Sequence, residues 1–245
     1  MNRILEICVD SLASARAAIR GGADRLELCS ALAIGGLTPY AALLEQIRSE
    51  SDIPVRCLMR PRAGDFLYSK EEIMQMAREI DVLRKAGADG FVIGCLTPEG
   101  DLDERAMAPL LTAAQGSGLT LHRCIDVSRD LIATYEKAGA LGIDTVLTSG
   151  GAPNATAGMQ TIGALLSRNG PQVLIGAGVN ARVISHFREV YPEAACFHMS
   201  GKTEIESGMV FRREGIPMGI PGFDEWHIQQ TGVEAVRKAK VALEK

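Results

Sequence analysis

Two stretches near the start of the chain place an acid and a thiol at the same spacing. The first, "LEIC", spans residues 5–8, and the second, "LELC", spans residues 26–29. Both are typical of buried strands, in which alternate side chains share a face, so each acid lies on the same face as its thiol. A carboxylate can act as a base or a metal ligand, and a thiolate binds soft metal ions.

A repeating pattern of strands and helices supplies the framework for these residues. Eight strands that alternate with eight helices predict an α/β fold, the (β/α)8 TIM barrel, as a single domain over residues 1–245. A doubly wound open sheet is the alternative. The predicted strands are residues 4–9, 25–29, 55–59, 90–93, 119–124, 145–148, 172–176 and 196–199. The predicted helices are residues 11–20, 39–49, 70–86, 104–116, 130–140, 156–167, 181–190 and 233–243.

Charged residues inside such a barrel are candidates for catalysis. The active site of this fold lies at the C-terminal ends of the strands, and strand side chains alternate between the interior and the helices. The alternation also turns Arg56 and Arg60 inward, so an alternative is that these arginines simply pair with the interior glutamates. Buried ion pairs rarely gain stability over apolar residues, which favours a functional site. The predicted catalytic residues are Glu6, Glu27, His122 and His198.

The cysteines of the two repeated stretches are candidate metal ligands. Cys8 and Cys29 end adjacent parallel strands, which lie roughly 4.8 Å apart, and by analogy of sequence we expect them at the same height. Both sulfurs would then reach one ion, and Cu(I) is the soft metal that two thiolates suit. Two neighbouring core thiols are the alternative. The other cysteines are predicted to be inert, reduced core residues, and they are Cys57, Cys95, Cys124 and Cys196.

The loops that follow the strands are candidates for substrate binding. "RPRAGDFLYS" (60–69) and "LHRCID" (121–126) carry arginines, which suit carboxylate or phosphate. Small residues after strands six to eight expose backbone N–H groups, which bind phosphate in many barrels. A solvated loop or a tight turn without a ligand is the alternative in each case. The candidate residues are Arg60, Arg62, Asp65, Arg123, Asp126, Ser149, Gly176, Gly178, Ser200 and Gly201.

Charge and hydropathy exclude several classes of partner. The net charge is −4 without a basic run, so neither nucleic acid nor an anionic membrane surface is an expected partner. No apolar run approaches the roughly 18 residues of a membrane span, and the first strand begins at once, so we expect a cytoplasmic protein. The long loop at residues 203–230 either covers the barrel mouth or reaches a second subunit. The sequence leaves open whether the chain forms a homo-oligomer, which would be a dimer or a tetramer.

Several motifs of the chain resemble those of one known family. "LEICVDS", "GADRLELCS", "RPRAGDFLYS", "HRCID", "LTSG" and "SGMVFR" run from the first strand to the final loop. Together they resemble the CutC copper homeostasis family, whose members are cytoplasmic (β/α)8 barrels implicated in copper handling and reported to bind Cu(I). The resemblance implies copper as the ligand. It also implies Cys8 and Cys29 as copper ligands, because cysteines in these two motifs have been proposed for that role in the family.

Two main functions therefore follow from the sequence, and a pure scaffold role, which predicts a filled barrel mouth, is a third possibility. The first is a cytoplasmic copper-binding protein that contributes to copper homeostasis or tolerance. The second is a barrel enzyme of unassigned reaction that acts on a small anionic substrate, a phosphate or a carboxylate. Copper does not require two glutamates and two histidines, so the sequence leaves open whether the protein is an enzyme.

Overall fold

A closed barrel of parallel strands forms the centre of the molecule, so the predicted (β/α)8 fold is confirmed. The structure is a computed structural model that describes residues 3–213, 215–216, 218–219 and 224–245. Each strand pairs with the next along the chain, and the last closes on the first. The barrel strands are β1 (Ile4–Val9), β2 (Arg25–Leu28), β3 (Val55–Leu58), β4 (Gly90–Ile93), β5 (Gly118–Leu121), β6 (Thr145–Thr148), β7 (Gln172–Ile175) and β8 (Cys196–Met199).

Helices cover the outside of this barrel and begin where the sequence provides caps. The Ser69 side chain accepts a hydrogen bond from the backbone N–H of Glu72, and the Glu72 carboxylate accepts one from the backbone N–H of Ser69. This reciprocal pair is a capping box. Asn180 caps the seventh helix through its side chain. The helices are α1 (Leu12–Gly21), α2 (Ala41–Glu50), α3 (Lys70–Lys85), α4 (Glu104–Ala113), α5 (Leu131–Ala140), α6 (Met159–Leu166), α7 (Ala181–Val190) and α8 (Val233–Glu244). Among the described residues, no helix is long and apolar enough to span a membrane.

The two faces of each strand enter different parts of the core. Leu5, Ile7 and Val9 of β1 are fully buried in the large cluster between the barrel and the helices. Cys8 and Cys29 belong instead to a small interior cluster with Leu58, Val92 and Leu32. This division agrees with the predicted alternation of side chains.

The pairing of the first two strands corrects one expectation. Cys8 lies opposite Glu27, and Glu6 lies opposite Arg25. Cys29 therefore stands two residues further along its strand, so the expectation that the thiols share one height is wrong. Barrel strands are tilted and staggered, and repeated sequence in neighbouring strands does not set their register.

Two segments differ from their predicted form. Strand β5 ends at Leu121, and residues Arg123–Val127 form a short 3-10 helix, because the side chain of His122 accepts a hydrogen bond from the backbone of Cys124. The predicted loop at 203–230 contains an antiparallel hairpin, made of β9 (Lys202–Glu206) and β10 (His227–Thr231). Its strands are short, polar and mostly exposed, so they lack the apolar alternation that predicts a strand.

Candidate functional site

Three neighbouring strands bring a thiol, a carboxylate and an imidazole together inside the barrel. Strand β1 pairs with both β2 and β8, so Cys8, Glu27 and His198 converge from adjacent positions. One ligand atom from each lies within 4.8 Å of the others, and all three side chains are buried. A metal ion needs such a convergence of donor atoms. We refer to these three residues as the acid–thiol cluster.

A second layer of residues fixes the imidazole of His198. Its Nδ1 donates to the Glu6 carboxylate at 2.7 Å, and its Nε2 lies 3.7 Å from a Glu27 carboxylate oxygen. A side-chain hydrogen bond also joins His198 to Cys8. Glu6 in turn accepts from the Nε of Arg25 at 2.5 Å. A carboxylate on one imidazole nitrogen orients the other nitrogen, the arrangement that commonly supports histidine ligands of metals.

The acids of this region keep a proton on His198. Burial lowers the pKa of His198, but its electrostatic interactions with Cys8 and Glu27 and its hydrogen bonds to Cys8 and Glu6 outweigh burial, so the pKa rises well above 6.5. Burial would raise the pKa of Glu6, yet the charge of Arg25 and the His198 bond lower it to about 2. Burial raises the pKa of Glu27 above its usual value. The imidazolium thus supplies a positive charge at the point where a metal cation would lie.

Cys29 is linked to this cluster through Glu27. Its thiol donates to the Glu27 carboxylate at 3.5 Å and lies 3.8 Å from the carbonyl of the same residue. Burial and the neighbouring Glu27 raise the pKa of Cys29 well above 9. Two thiols, an imidazole and a carboxylate therefore share one small region, a set of donors that fits a soft or borderline metal ion.

A cavity of about 880 Å³ opens above the cluster at the C-terminal ends of the strands. Cys8, Glu27 and His198 line one side of it, and Arg60, Phe66, His122 and Arg123 line another, which we call the basic wall. Residues 224–225 and 227–231, the latter strand β10, form a further part of the lining. Of the predicted site residues, those that reach this cavity are Cys8, Glu27, Arg60, His122, Arg123, His198 and Ser200.

Several predicted site residues form contacts within and between the loops. Arg62 bonds Glu72 and Asp65 on the outside of the loop, so the structure does not bring it or Asp65 into the cavity. Asp126 accepts from Thr148, Arg123 and the backbone and side chain of Ser149, which organises the loops after β5 and β6.

Three glycines expected to bind phosphate also lie outside the cavity lining. The space where a side chain at Gly176 would project is filled by Leu147, at 2.5 Å. Gly201 faces Val236 and Met199, and Gly178 faces Asn154. The backbone after β7 and β8 is thus packed against the protein at these positions, and Ser200 alone of that predicted group lines the cavity.

The alternative that Arg56 and Arg60 pair with the interior glutamates is wrong. Arg56 bonds Thr120 and Asp144. The partner of Glu6 is Arg25, which sequence reasoning missed although it shares the strand face of Glu27 and Cys29. The alternation of charges in "RLELC" was the available signal.

Gly94 is a second residue that the sequence analysis overlooked. A side chain at this position would meet the Cys124 sulfur at 2.5 Å and the Cε1 of His122 at 2.6 Å. The absence of a Cβ at Gly94 therefore leaves room for the His122 ring, and a glycine directly after β4 was the only signal in the sequence.

Fold and site together define a class of protein, a (β/α)8 barrel with a buried thiol–imidazole–carboxylate cluster at its C-terminal mouth. The CutC family model matches residues 3–202. The chain belongs to the CutC family. It is 43% identical to a CutC family protein of Porphyromonas gingivalis over 96% of each chain. It is 38% identical to the human copper homeostasis protein cutC homolog, over 96% of this chain and 86% of that one.

A solved structure agrees with this assignment. The crystal structure of the CutC protein from Streptococcus agalactiae superimposes with a TM-score of 0.76 at 27% sequence identity. The alignment covers 81% of this chain and 98% of that one. The likeness supports the barrel and the strand order described above.

Proposed function

We propose that the protein binds Cu(I) at the acid–thiol cluster and serves copper homeostasis. The observation that carries the proposal is the approach of ligand atoms from Cys8, Glu27 and His198 to within 4.8 Å of one another. Thiolate and imidazole are both ligands that copper accepts. The name of the human relative, a copper homeostasis protein homolog, supports the same function.

The surroundings of the cluster suit a cation that exchanges with a proton. His198 carries a proton that Glu6, Glu27 and Cys8 stabilise. A bound cation would replace that proton as the positive charge, and Glu6 would keep His198 oriented through Nδ1. Cys29 lies close enough to Glu27 to provide the second thiol. Cys8, Cys29, Cys57, Cys95 and Cys124 are free, buried thiols, which supports our proposal of a reducing, cytoplasmic location.

Competition with a chromophoric Cu(I) chelator under anaerobic conditions tests the proposal. We expect one Cu(I) per chain, and we expect Cys8→Ser to weaken binding by at least about a hundredfold, because a thiolate ligand is lost. Cys57→Ala is the matched control, since Cys57 is also a buried thiol but packs in the outer core. Cys29→Ser shows whether one thiol or two bind the ion. A loss of Cu(I) affinity like that of Cys8→Ser assigns both thiols as ligands, whereas unchanged affinity assigns Cys8 and His198 without Cys29. Wild-type affinity in the Cys8→Ser/Cys29→Ser variant would reject the proposal.

The size of the cavity favours a second candidate function. A single ion does not require about 880 Å³, which is the size of cavity that holds a small organic molecule. A barrel enzyme that acts on a small anionic substrate would use the basic wall for binding and the acid–thiol cluster for chemistry. Product detection in a screen of small carboxylates and phosphates, lost in His198→Gln, tests this candidate. A screen in which every product forms equally in wild type and His198→Gln would count against it.

A further inference from the structure

A buried arginine of the basic wall has no negatively charged partner among the residues that the structure describes. Arg60 is 9% exposed, and its Nη atoms donate to the carbonyls of Ile34, Gly36 and Gly64 at 2.9 to 3.2 Å. No carboxylate of the described residues forms an ion pair with it, and its Nε has no hydrogen-bond partner. A buried charge without a counter-charge is costly, because the desolvation of the ion is not offset. The carbonyls hold the guanidinium in position, but they do not neutralise it.

A histidine beside this arginine has a donor that is also unused. His122 is 4% exposed, and its Nδ1 accepts a hydrogen bond from the backbone N–H of Cys124 at 3.2 Å. That bond assigns the hydrogen of the neutral ring to Nε2, which has no partner among the described residues. Burial and the charge of Arg60 lower the pKa of His122 to about 3, so the ring is neutral and Nε2 is a donor at physiological pH.

Phe66 joins these two residues into one surface. Its ring lies 4.7 Å from the His122 ring and 5.3 Å from the guanidinium carbon of Arg60. All three side chains line the cavity. The basic wall thus combines an uncompensated cation, an unpartnered N–H and a flat apolar ring.

We propose that Arg60, His122 and Phe66 bind the carboxylate of a small organic anion. The carboxylate supplies the missing counter-charge of Arg60 and accepts a hydrogen bond from Nε2 of His122, while the ring of Phe66 packs beside the plane of the ligand. This inference rests on the second candidate function, whose substrate class it specifies. It does not require copper at the acid–thiol cluster.

The number of free donors favours a carboxylate over a phosphate. Arg60 and His122 both line the cavity, and among the described residues Nε of Arg60 and Nε2 of His122 are buried donors without a hydrogen-bond partner. A carboxylate has two oxygens to match these two donors. The guanidinium of Arg123 is already bonded to Asp126 and Ser149. A barrel phosphate site uses backbone N–H groups after strands seven and eight, yet Gly176 and Gly178 are outside the lining.

Isothermal titration with acetate, succinate, acetamide and inorganic phosphate tests the assignment. Acetamide has the shape of acetate without its charge, so we expect it to bind at least about tenfold more weakly than acetate. We expect Arg60→Met and His122→Phe each to weaken acetate and succinate by about tenfold or more. Imidazole ¹⁵N NMR is the second readout: acetate should shift the Nε2–H signal of His122 in the wild type.

Arg62→Met is the matched control, because Arg62 lies in the same loop but its side chain bonds Glu72 outside the cavity. It should retain wild-type affinity for acetate. His122→Phe keeps the test decisive if Arg60→Met fails to fold, since it removes a donor without removing the carbonyl contacts of Arg60. The site is overturned if phosphate binds more tightly than both carboxylates, if acetate does not bind, or if acetate binds equally well to wild type and His122→Phe.

Two further measurements separate this inference from the proposed functions. Cu(I) affinity should be unchanged in His122→Phe, because His122 is not part of the acid–thiol cluster. Acetate binding that depends on Arg60 and His122 supports the site even where the product screen finds no turnover, and that result removes only the enzyme candidate. Acetate binding that is lost in Cys8→Ser but retained in His122→Phe would overturn the site.

Discussion

The acid–thiol cluster and the basic wall line the same cavity, but they differ in how their charges are balanced. Around the cluster, Glu6 is bonded to both Arg25 and His198, and the protonated imidazole also faces Glu27. On the basic wall, Arg60 is bonded only to carbonyl oxygens among the described residues. The cluster supplies its own positive charge, whereas the basic wall has no matching negative charge in the described part of the chain.

This difference separates structural charge from charge available to a ligand. Glu6 is fully buried and does not line the cavity, so its charge serves Arg25 and His198 rather than a substrate. Its role as a catalytic residue stays a prediction, and its contacts indicate a positioning role. The free donors of Arg60 and His122, in contrast, have no internal function in the described structure. Substitutions in the paired charges around the cluster should therefore lower mainly the stability of the fold. Substitutions in Arg60 and His122 should lower mainly the affinity for the ligand.

The largest effect on stability is expected from Glu6→Gln. The substitution leaves Arg25 as a buried cation without its carboxylate, and removal of one partner of a buried pair typically costs about 3–5 kcal/mol. The amide oxygen can still accept the bond from Nδ1 of His198, so the loss reports mainly on charge. Urea unfolding at pH 7 measures the free energy of unfolding.

The double variant Glu6→Gln/Arg25→Met is the control for this effect. It removes both charges, so we expect it to recover most of the stability that Glu6→Gln loses. If the double variant is as unstable as the single one, the charge balance of the cluster does not explain the role of Glu6. If Glu6→Gln itself is neutral, the contrast between the two sides of the cavity is wrong.

A smaller loss is expected from Gly94→Ala, which acts on the basic wall. The new methyl group would lie 2.5 Å from the Cys124 sulfur and 2.6 Å from the His122 ring. Overpacking of this kind costs up to about 3 kcal/mol, and displacement of the ring should also weaken acetate. Gly208→Ala is the control, because no atom of the described part of the chain lies within 4 Å of the Cβ that this substitution adds. Normal acetate affinity in Gly94→Ala would show that the orientation of His122 is not set by this contact.

The sequence was sufficient to predict the barrel and the faces of its strands. Alternation alone turns Glu6, Cys8 and His198 inward, because a strand permits only two directions for its side chains. The eight-fold count of strands then closes the barrel and locates its mouth. Chemistry that depends on which strand face a residue occupies could therefore be predicted.

The pairings inside the barrel could not be predicted in the same way. Whether Glu6 meets Arg25 or Arg56 depends on the stagger between neighbouring strands, and local sequence does not encode that stagger. The free donor of His122 depends on a turn that redirects the chain after β5, and its room depends on Gly94 of the preceding loop. Both are tertiary relations between distant segments.

The next largest effect is expected from pH, because His122 of the basic wall should make the free energy of unfolding depend on pH. The pKa of His122 falls from 6.5 to about 3 on folding, so between these values the unfolded chain binds a proton that the folded chain does not. Stability should therefore fall as pH falls below 6.5, by about 2 kcal/mol between pH 7 and pH 5 from this group. Urea unfolding of wild type and His122→Phe at both pH values isolates the contribution. Identical losses in the two proteins would contradict the neutral, buried state of His122.

The smallest effect is expected from Arg62→Met, and it tests whether location or charge defines the basic wall. Arg62 and Arg60 are two residues apart, yet Arg62 is partly exposed and pairs with Glu72 and Asp65. Solvent screens such pairs, so the loss of stability should stay below about 1 kcal/mol, as measured by urea unfolding. Acetate affinity should not change, because the side chain does not line the cavity. A fall in affinity equal to that of Arg60→Met would mean that the positive charge of the whole loop attracts the anion, and that the buried position of Arg60 is not what makes it a binding residue.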